Sequence, residues 1–258
     1  MNTAAEGLRV LVTAGASGIG RELARTFAAA GARVFICDID GDALDAACAA
    51  RPEIGGCLAD VADPQQVDVM VDAARAFLGG LDVLINNAGI AGPTAPVEAI
   101  DIADWNRTIA VDLNGMFYCT RRAVPLIKQQ GGGSIINLSS VAGRLGFPLR
   151  TPYAAAKWAV VGFTKSLAME LGPANIRVNA IQPGNVEGER IERVISAKAE
   201  ALGVSFEECK RQLLSKVSLR RMVRAADVAN MALFLATDAG QNISGQALSV
   251  CGNVESLV

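Results

Sequence analysis

The sequence predicts one α/β domain in which a doubly wound parallel sheet carries helices on both faces. Short runs rich in Val and Ile alternate with segments of helical periodicity. A glycine-rich turn joins the first run to the first helix, and 258 residues suit a single α/β unit.

The first run, residues 8–13, is too short for a helix and largely apolar, as a strand covered on both faces must be. It leads through Thr13-Ala14-Gly15-Ala16-Ser17-Gly18-Ile19-Gly20 into a helix where Leu23, Phe27 and Ala30 recur at helical spacing. Runs at 33–37, 55–58, 83–86, 134–138 and 176–181 repeat the strand pattern. Val228, Met231 and Leu235 mark the last helix, and residues 247–250 the seventh strand. Before that helix, residues 187–219 are polar, charged and longer than a crossover requires. A substrate lid over the carboxyl edge of the sheet is the functional reading, and a packed surface helix pair the alternative. No linker or repeat divides the chain.

The side-chain inventory excludes whole classes of chemistry. There are 24 basic and 26 acidic residues, a formal charge of −2, and no histidine. Ser-His-Asp and Cys-His nucleophile systems, and zinc sites that require imidazole, are impossible. A pI near 5.4 without a basic tract argues against a nucleic-acid partner. No apolar run is long enough to span a bilayer. Six cysteines, at 37, 48, 57, 119, 209 and 251, lack metal-ligand spacing and are expected as free thiols, with no metal bound. Residues 1–6 lack the pattern of a leader, so a cytoplasmic setting is expected.

Glycines after the first strand permit a tight turn, bring backbone N–H groups to a pyrophosphate and let helix pack on strand. The helix N-terminus adds partial positive charge. Gly15, Ser17, Gly18 and Ile19 are therefore expected cofactor contacts, with a plain tight turn as the alternative. Asp38 ends the second strand 18 residues after Gly20, near the spacing of an acid that holds the adenosine ribose hydroxyls. Its charge would repel a 2′-phosphate and favour NAD over NADP. Capping of the turn before Asp40-Gly41 is the alternative.

Tyr153 and Lys157 stand four residues apart, which on a helix puts both on one face. A phenol titrates near ~10, and a neighbouring ammonium lowers that value, making Tyr153 a workable acid/base. An ordinary helix-surface pair is the alternative. Ser140 lies 13 residues upstream, just after the fifth predicted strand, at the edge where open α/β sheets bind ligands.

The spacing Gly15-x-x-Gly18-x-Gly20 resembles the short-chain dehydrogenase/reductase family. So do Asp60-Val61, Asn86-Asn87-Ala88-Gly89, Tyr153-x-x-x-Lys157, Pro183-Gly184, Asp227-Val228-Ala229 and Ile243-Ser244-Gly245-Gln246. The resemblance covers essentially the whole chain and implies a Rossmann-like sheet and NAD-dependent oxidation of a secondary alcohol or reduction of a ketone. It implies that Tyr153 exchanges a proton with the substrate oxygen and that Ser140 hydrogen-bonds that oxygen. Lys157 would bind the nicotinamide ribose and tune Tyr153. Asp60 and Val61 would meet the adenine, Asn87 would join the cofactor site, and backbone around Val186 would meet the nicotinamide amide. A homo-oligomer is implied too, a tetramer or dimer in which the helices of Asp112 and Tyr153 pair between subunits.

Four positions depart from the family pattern. Ala14 occupies its first glycine position, so the turn is expected to shift slightly or keep an ordinary φ. Asp112 stands where the family has a relay asparagine; it is carried as a catalytic residue whose charge alters the relay's response to pH. Asn114 should face elsewhere. Gly188 replaces a cofactor-touching threonine, and Cys251 an aspartate.

Arg144 and Arg150 lie between Ser140 and Tyr153, and Arg190 and Arg193 lie in the proposed lid. Converging on a pocket, they could hold a carboxylate, sulfonate or phosphate; surface charge is the alternative. Two other functions compete with an alcohol dehydrogenase. One is a 3-oxoacyl thioester reductase, which Asp38 opposes through its usual NADPH. The other is an NAD-binding regulatory protein of weakened catalysis.

Overall fold

Val and Ile are stiff at χ1 and pack well on a pleated surface, and the short runs that carry them become strands. The computed structural model describes residues 5–257; residues 1–4, where the stretch inspected for a leader begins, and residue 258 lie outside the described residues. The strands are β1 Arg9–Thr13, β2 Arg33–Asp38, β3 Gly55–Leu58, β4 Val83–Asn86, β5 Gly133–Leu138, β6 Ile176–Pro183 and β7 Ala247–Val250. They form one parallel sheet in the order β3-β2-β1-β4-β5-β6-β7. The largest departure from the predicted runs is β6, which continues to Pro183 because Pro183 still pairs with Val250 on β7.

The helices are α1 Gly18–Ala29, α2 Gly41–Ala50, α3 Pro64–Leu78, α4 Ile102–Ile109, α5 Gly115–Gln129, α6 Thr151–Leu171, α7 Glu189–Leu202, α8 Phe206–Ser215 and α9 Ala225–Ala236. Successive strand residues feed opposite layers. Val10 and Val12 pack with Leu23 and Phe27 of α1 and with α9, while Leu11 packs with Met70 and Leu78 of α3 and with α5. Local signals set the ends of α3. Asp63 accepts from the N–H groups of Gln65 and Gln66, Pro64 opens the first turn, and Gly79 closes the helix at φ 80°.

Strand order reverses between β1 and β4, which opens a crevice at their carboxyl ends. Two polar clamps hold the strands there. Thr13 Oγ1 accepts from the N–H groups of Asn87 and Ala88, each at 3.0 Å. Asn86 Nδ2 donates to Asn137 Oδ1 at 2.9 Å, and Asn137 Nδ2 to Thr164 Oγ1 at 3.0 Å, tying β4 to β5 and α6.

Residues 187–219 form the pair α7 and α8, packed on each other through Ile195, Ala199 and Cys209. Among the described residues no helix is long and apolar enough to cross a membrane. All six cysteines carry free thiols.

Candidate active site

The crevice is built first by the glycine turn. A Cβ on Gly15 would lie 2.5 Å from Ile36 Cβ, and one on Gly20 would lie 1.9 Å from the Ala14 carbonyl oxygen, so both positions demand glycine. Gly18 sits at φ +51° with nothing within 4 Å of its missing side chain. Ser17 precedes α1 in extended conformation and makes no side-chain cap, leaving first-turn N–H groups facing the crevice for an anion. A bare backbone cradle at a helix N-terminus fits a dinucleotide pyrophosphate.

Ala14 corrects the sequence expectation. It keeps the left-handed conformation at φ +50° instead of relaxing to an ordinary φ. Its surroundings over-determine it: Gly15 N–H donates to Cys37 O at 2.9 Å, and Asn87 Nδ2 donates to the carbonyls of Thr13 and Ala14, each at 3.0 Å. Asn87 therefore acts through the turn, bracing its backbone.

Asp38 makes the contacts of the turn-capping reading. One carboxylate oxygen accepts from Ala16 N–H at 3.0 Å, and the other from Ile39 and Asp40 N–H at 2.9 and 3.2 Å. It caps the turn and fixes a negative charge beside the phosphate cradle. Asp60 is likewise engaged: Oδ1 accepts from Ala62 N–H, and Oδ2 lies 3.0 Å from Arg107 Nη2. Val61 is buried, and its carbonyl would lie 2.9 Å from a Cβ on Gly115, so it packs tightly against α5. Val186 bridges Val223 in parallel, but Asn185 O and Glu187 N make the bonds, so that bridge does not use the peptide groups of Val186.

The residues expected to transfer the proton meet at the other side of the crevice. Ser140 caps a short turn over Val141–Gly143, its Oγ accepting from Ala142 N–H at 3.1 Å, while Ser139 Oγ donates to the Lys157 carbonyl at 2.8 Å. The neighbouring serines are thereby distinguished: Ser139 braces α6. Lys157, 3% exposed, donates from Nζ to Leu138 O at 3.1 Å and lies 5.5 Å from the Tyr153 ring centroid. Asp112, 0% exposed, sits in a π turn over Ala110–Asn114. Its Oδ2 is 3.3 Å from Lys157 Nζ, and its Oδ1 accepts from Ile90 N–H at 2.6 Å. A Cβ on Gly89 would come within 3.2 Å of both charged groups, so the strand-four turn closes over the ion pair. Asn114 is exposed, as its helical offset requires.

A family model described as enoyl-(acyl carrier protein) reductase matches residues 13–253. The chain belongs to the short-chain dehydrogenase/reductase family. This oxidoreductase is 37% identical over 250 residues to a probable galactose dehydrogenase of Rhizobium meliloti (strain 1021), covering 95% of this chain and 94% of the relative. It is 36% identical over 253 residues to the 3-oxoacyl-(acyl-carrier-protein) reductase of Thermotoga maritima, covering 96% of this chain and 98% of that one. A crystal structure of NAD+-bound xylitol dehydrogenase matches it with a TM-score of 0.92 at 29% identity, over 96% of this chain and 98% of that chain.

The arginines of this short-chain dehydrogenase/reductase divide. Arg150, Arg190 and Arg193 line one cavity of about 360 Å³ with the turn at Gly89 and Gly92. Arg144, expected beside them, does not line that cavity. Its guanidinium donates to the Val254 carbonyl at 2.9 Å and reaches Cys251 Sγ at 3.7 Å, so it anchors the C-terminal segment. Cys251, in the family's aspartate position, also accepts from Val254 N–H. Gly188 is explained by its φ of 130° ahead of α7, a conformation closed to threonine.

Two positioning roles escaped the sequence argument: that of Thr13, which pins the strand-four turn, and that of Ser139, the candidate adjacent to Ser140 that spacing disfavours, which braces the Lys157 backbone. The available signal was a hydroxyl at the end of a strand in an otherwise apolar run.

Proposed function

We propose that this chain is an NAD-dependent dehydrogenase of secondary alcohols, or a ketone reductase in the reverse direction. The observation that carries it is Lys157, buried between Asp112 and the Leu138 carbonyl and presented beneath the Tyr153 ring. A bound nicotinamide dinucleotide would supply the hydride acceptor or donor. The glycine turn and the α1 N-terminus would hold its phosphates, and Lys157 would bind its nicotinamide ribose. Ser140 positions the substrate oxygen, and Tyr153 takes or returns that oxygen's proton.

Charge around Tyr153 supports this division of labour. Arg150, Lys157 and Arg190 lie 5.4, 5.5 and 5.9 Å from its ring centroid. Cations stabilise the negative charge that develops on the phenol oxygen when it gives up its proton. The Asp112 carboxylate offsets one of them and keeps Lys157 oriented.

The Asp38 charge supports NAD over NADP. Arg190 Nη1 donates to Gly89 O at 3.0 Å, a tether that supports α7 and α8 as a substrate lid. The exposed side chains of Trp105, Phe117 and Trp158 on α4, α5 and α6 support a homo-oligomer, tetramer or dimer, and six free thiols support a reducing, cytoplasmic setting. The Thermotoga relative keeps a second reading in view, the reduction of a 3-oxoacyl thioester with NADPH.

The test is reduction of NAD+ by a panel of secondary alcohols, followed by the absorbance of the reduced dinucleotide. Wild type should turn over, and Tyr153→Phe should lose at least ~100-fold in kcat with dinucleotide affinity retained, as expected for a missing acid/base. Near-normal turnover by Tyr153→Phe refutes the assignment. Activity confined to NADPH and an acetoacetyl thioester selects the second reading.

A further inference from the structure

Arg150 is buried to 3% exposure, yet no carboxylate of the described residues pairs with it. Its Nη2 donates to the Ala91 carbonyl, its guanidinium stacks 5.2 Å from the Phe147 ring centroid and 5.4 Å from that of Tyr153, and its Nε has no partner. A buried guanidinium without a counterion is costly unless something supplies one. Burial pushes its pKa down and the Arg190 charge adds to that, while Tyr153 and Asp112 act in the opposite direction without reversing it. The residue before it, Leu149, is held at φ +64°, a left-handed conformation, and its carbonyl accepts from Ala95 N–H at 3.0 Å.

Two further arginines line the same space, and a lysine lies nearby. Arg190 and Arg193 line the cavity one turn apart on α7. Arg190 is tethered only to a neutral carbonyl. Arg193 has an exposed contact at 3.7 Å to Glu189, a pairing that contributes little in water. Lys198, half-buried on the same helix, has its ammonium pushed down by burial and also by the Arg150 charge, although Cys209 acts in the opposite direction. The nearby acid, Asp112, is already committed to Lys157 and Ile90 N–H. A second, more open cavity of about 440 Å³, on α8, contains none of these groups.

We propose that this cavity is a carboxylate-binding subsite, so that the substrate is a small hydroxy acid or its oxo acid. The inference rests on the dehydrogenase reading and names its substrate class. Arg150 and Arg190 both stack on the Tyr153 ring, so an anion held by them lies beside the oxygen that Tyr153 serves. The carboxylate must then stand only a few bonds from the carbinol carbon. A guanidinium fork matches a carboxylate with two parallel N–H···O bonds, and among the described residues only Nη2 of Arg150 is engaged, by the Ala91 carbonyl.

The probes are 3-hydroxybutyrate and 4-hydroxypentanoate, each beside its methyl ester, titrated calorimetrically into NAD+-saturated protein. The acids should bind at least tenfold more tightly than their esters. That preference should collapse towards unity in Arg150→Gln and in Arg190→Gln, and persist in Arg211→Gln on α8. Arg190 is exposed, so its variant keeps the test decisive if Arg150→Gln folds poorly. Acids and esters binding alike, or neither binding to protein that binds NAD+, overturns the subsite. Inorganic phosphate binding more tightly than either acid also overturns it and assigns the cavity to a phosphoryl group. The Tyr153→Phe assay above reads the dehydrogenase separately, so failure of the subsite and failure of that reading are distinguishable.

Discussion

Replacing Lys157 by methionine leaves the Asp112 carboxylate, 0% exposed, without its counterion. At the observed 3.3 Å and an effective dielectric of about 20, the lost attraction amounts to about 5 kcal/mol. Removing one partner of a buried pair costs about 3–5 kcal/mol in net stability, because the remaining charge stays desolvated. The Ile90 N–H to Asp112 Oδ1 bond at 2.6 Å compensates only in part. Asparagine keeps that acceptor and removes the charge. In the Lys157→Met background, Asp112→Asn should therefore raise stability by about 2–4 kcal/mol, reversing the usual sign of a core substitution. Urea denaturation of the four proteins of the cycle, at one protomer concentration and read by tryptophan fluorescence, measures it. If Asp112→Asn destabilises Lys157→Met or leaves it unchanged, the ion pair is not what balances this core and the electrostatic account of the site fails.

Two further outcomes are expected. Ala14 at φ +50° carries about 1–2 kcal/mol of left-handed strain, and the greater unfolded freedom of glycine offsets about 0.5–1 kcal/mol of any gain. Ala14→Gly should therefore raise Tm by roughly 1–4 °C in scanning calorimetry, and a lowered Tm would contradict the strain. Burial pushes the Cys119 thiol up to about 12 from the ordinary 9.0. Above that ordinary value the unfolded chain ionises the thiol while the folded chain keeps it protonated, so stability falls as pH rises. Between pH ~9 and ~10 wild type should lose about 1 kcal/mol more than Cys119→Ala, and parallel curves would sink the assignment.

The sheet was legible because each strand is short, apolar and bounded by turn residues, a pattern that depends on neighbours in sequence. Tyr153 and Lys157 were legible for the same reason: a helix converts a spacing of four into one face. Ala14 was not. Negative φ is the local preference of alanine, but Asn87 and Gly20, from distant or crowded positions, hold its carbonyl in place. The arginines were half legible. Their clustering in two segments was visible, but only packing sent Arg144 to the C-terminal segment and buried Arg150 beneath two aromatic rings.

By itself, the sequence determined the strand and helix order, the bare glycine turn ahead of α1 and the shared helix face of Tyr153 and Lys157, since all three follow from residue type and local spacing. The tertiary structure alone decided which charges meet. The Asp112 and Lys157 ion pair, the strained alanine and the unpaired Arg150 each join segments far apart in the chain, and local propensity carries no information about such contacts.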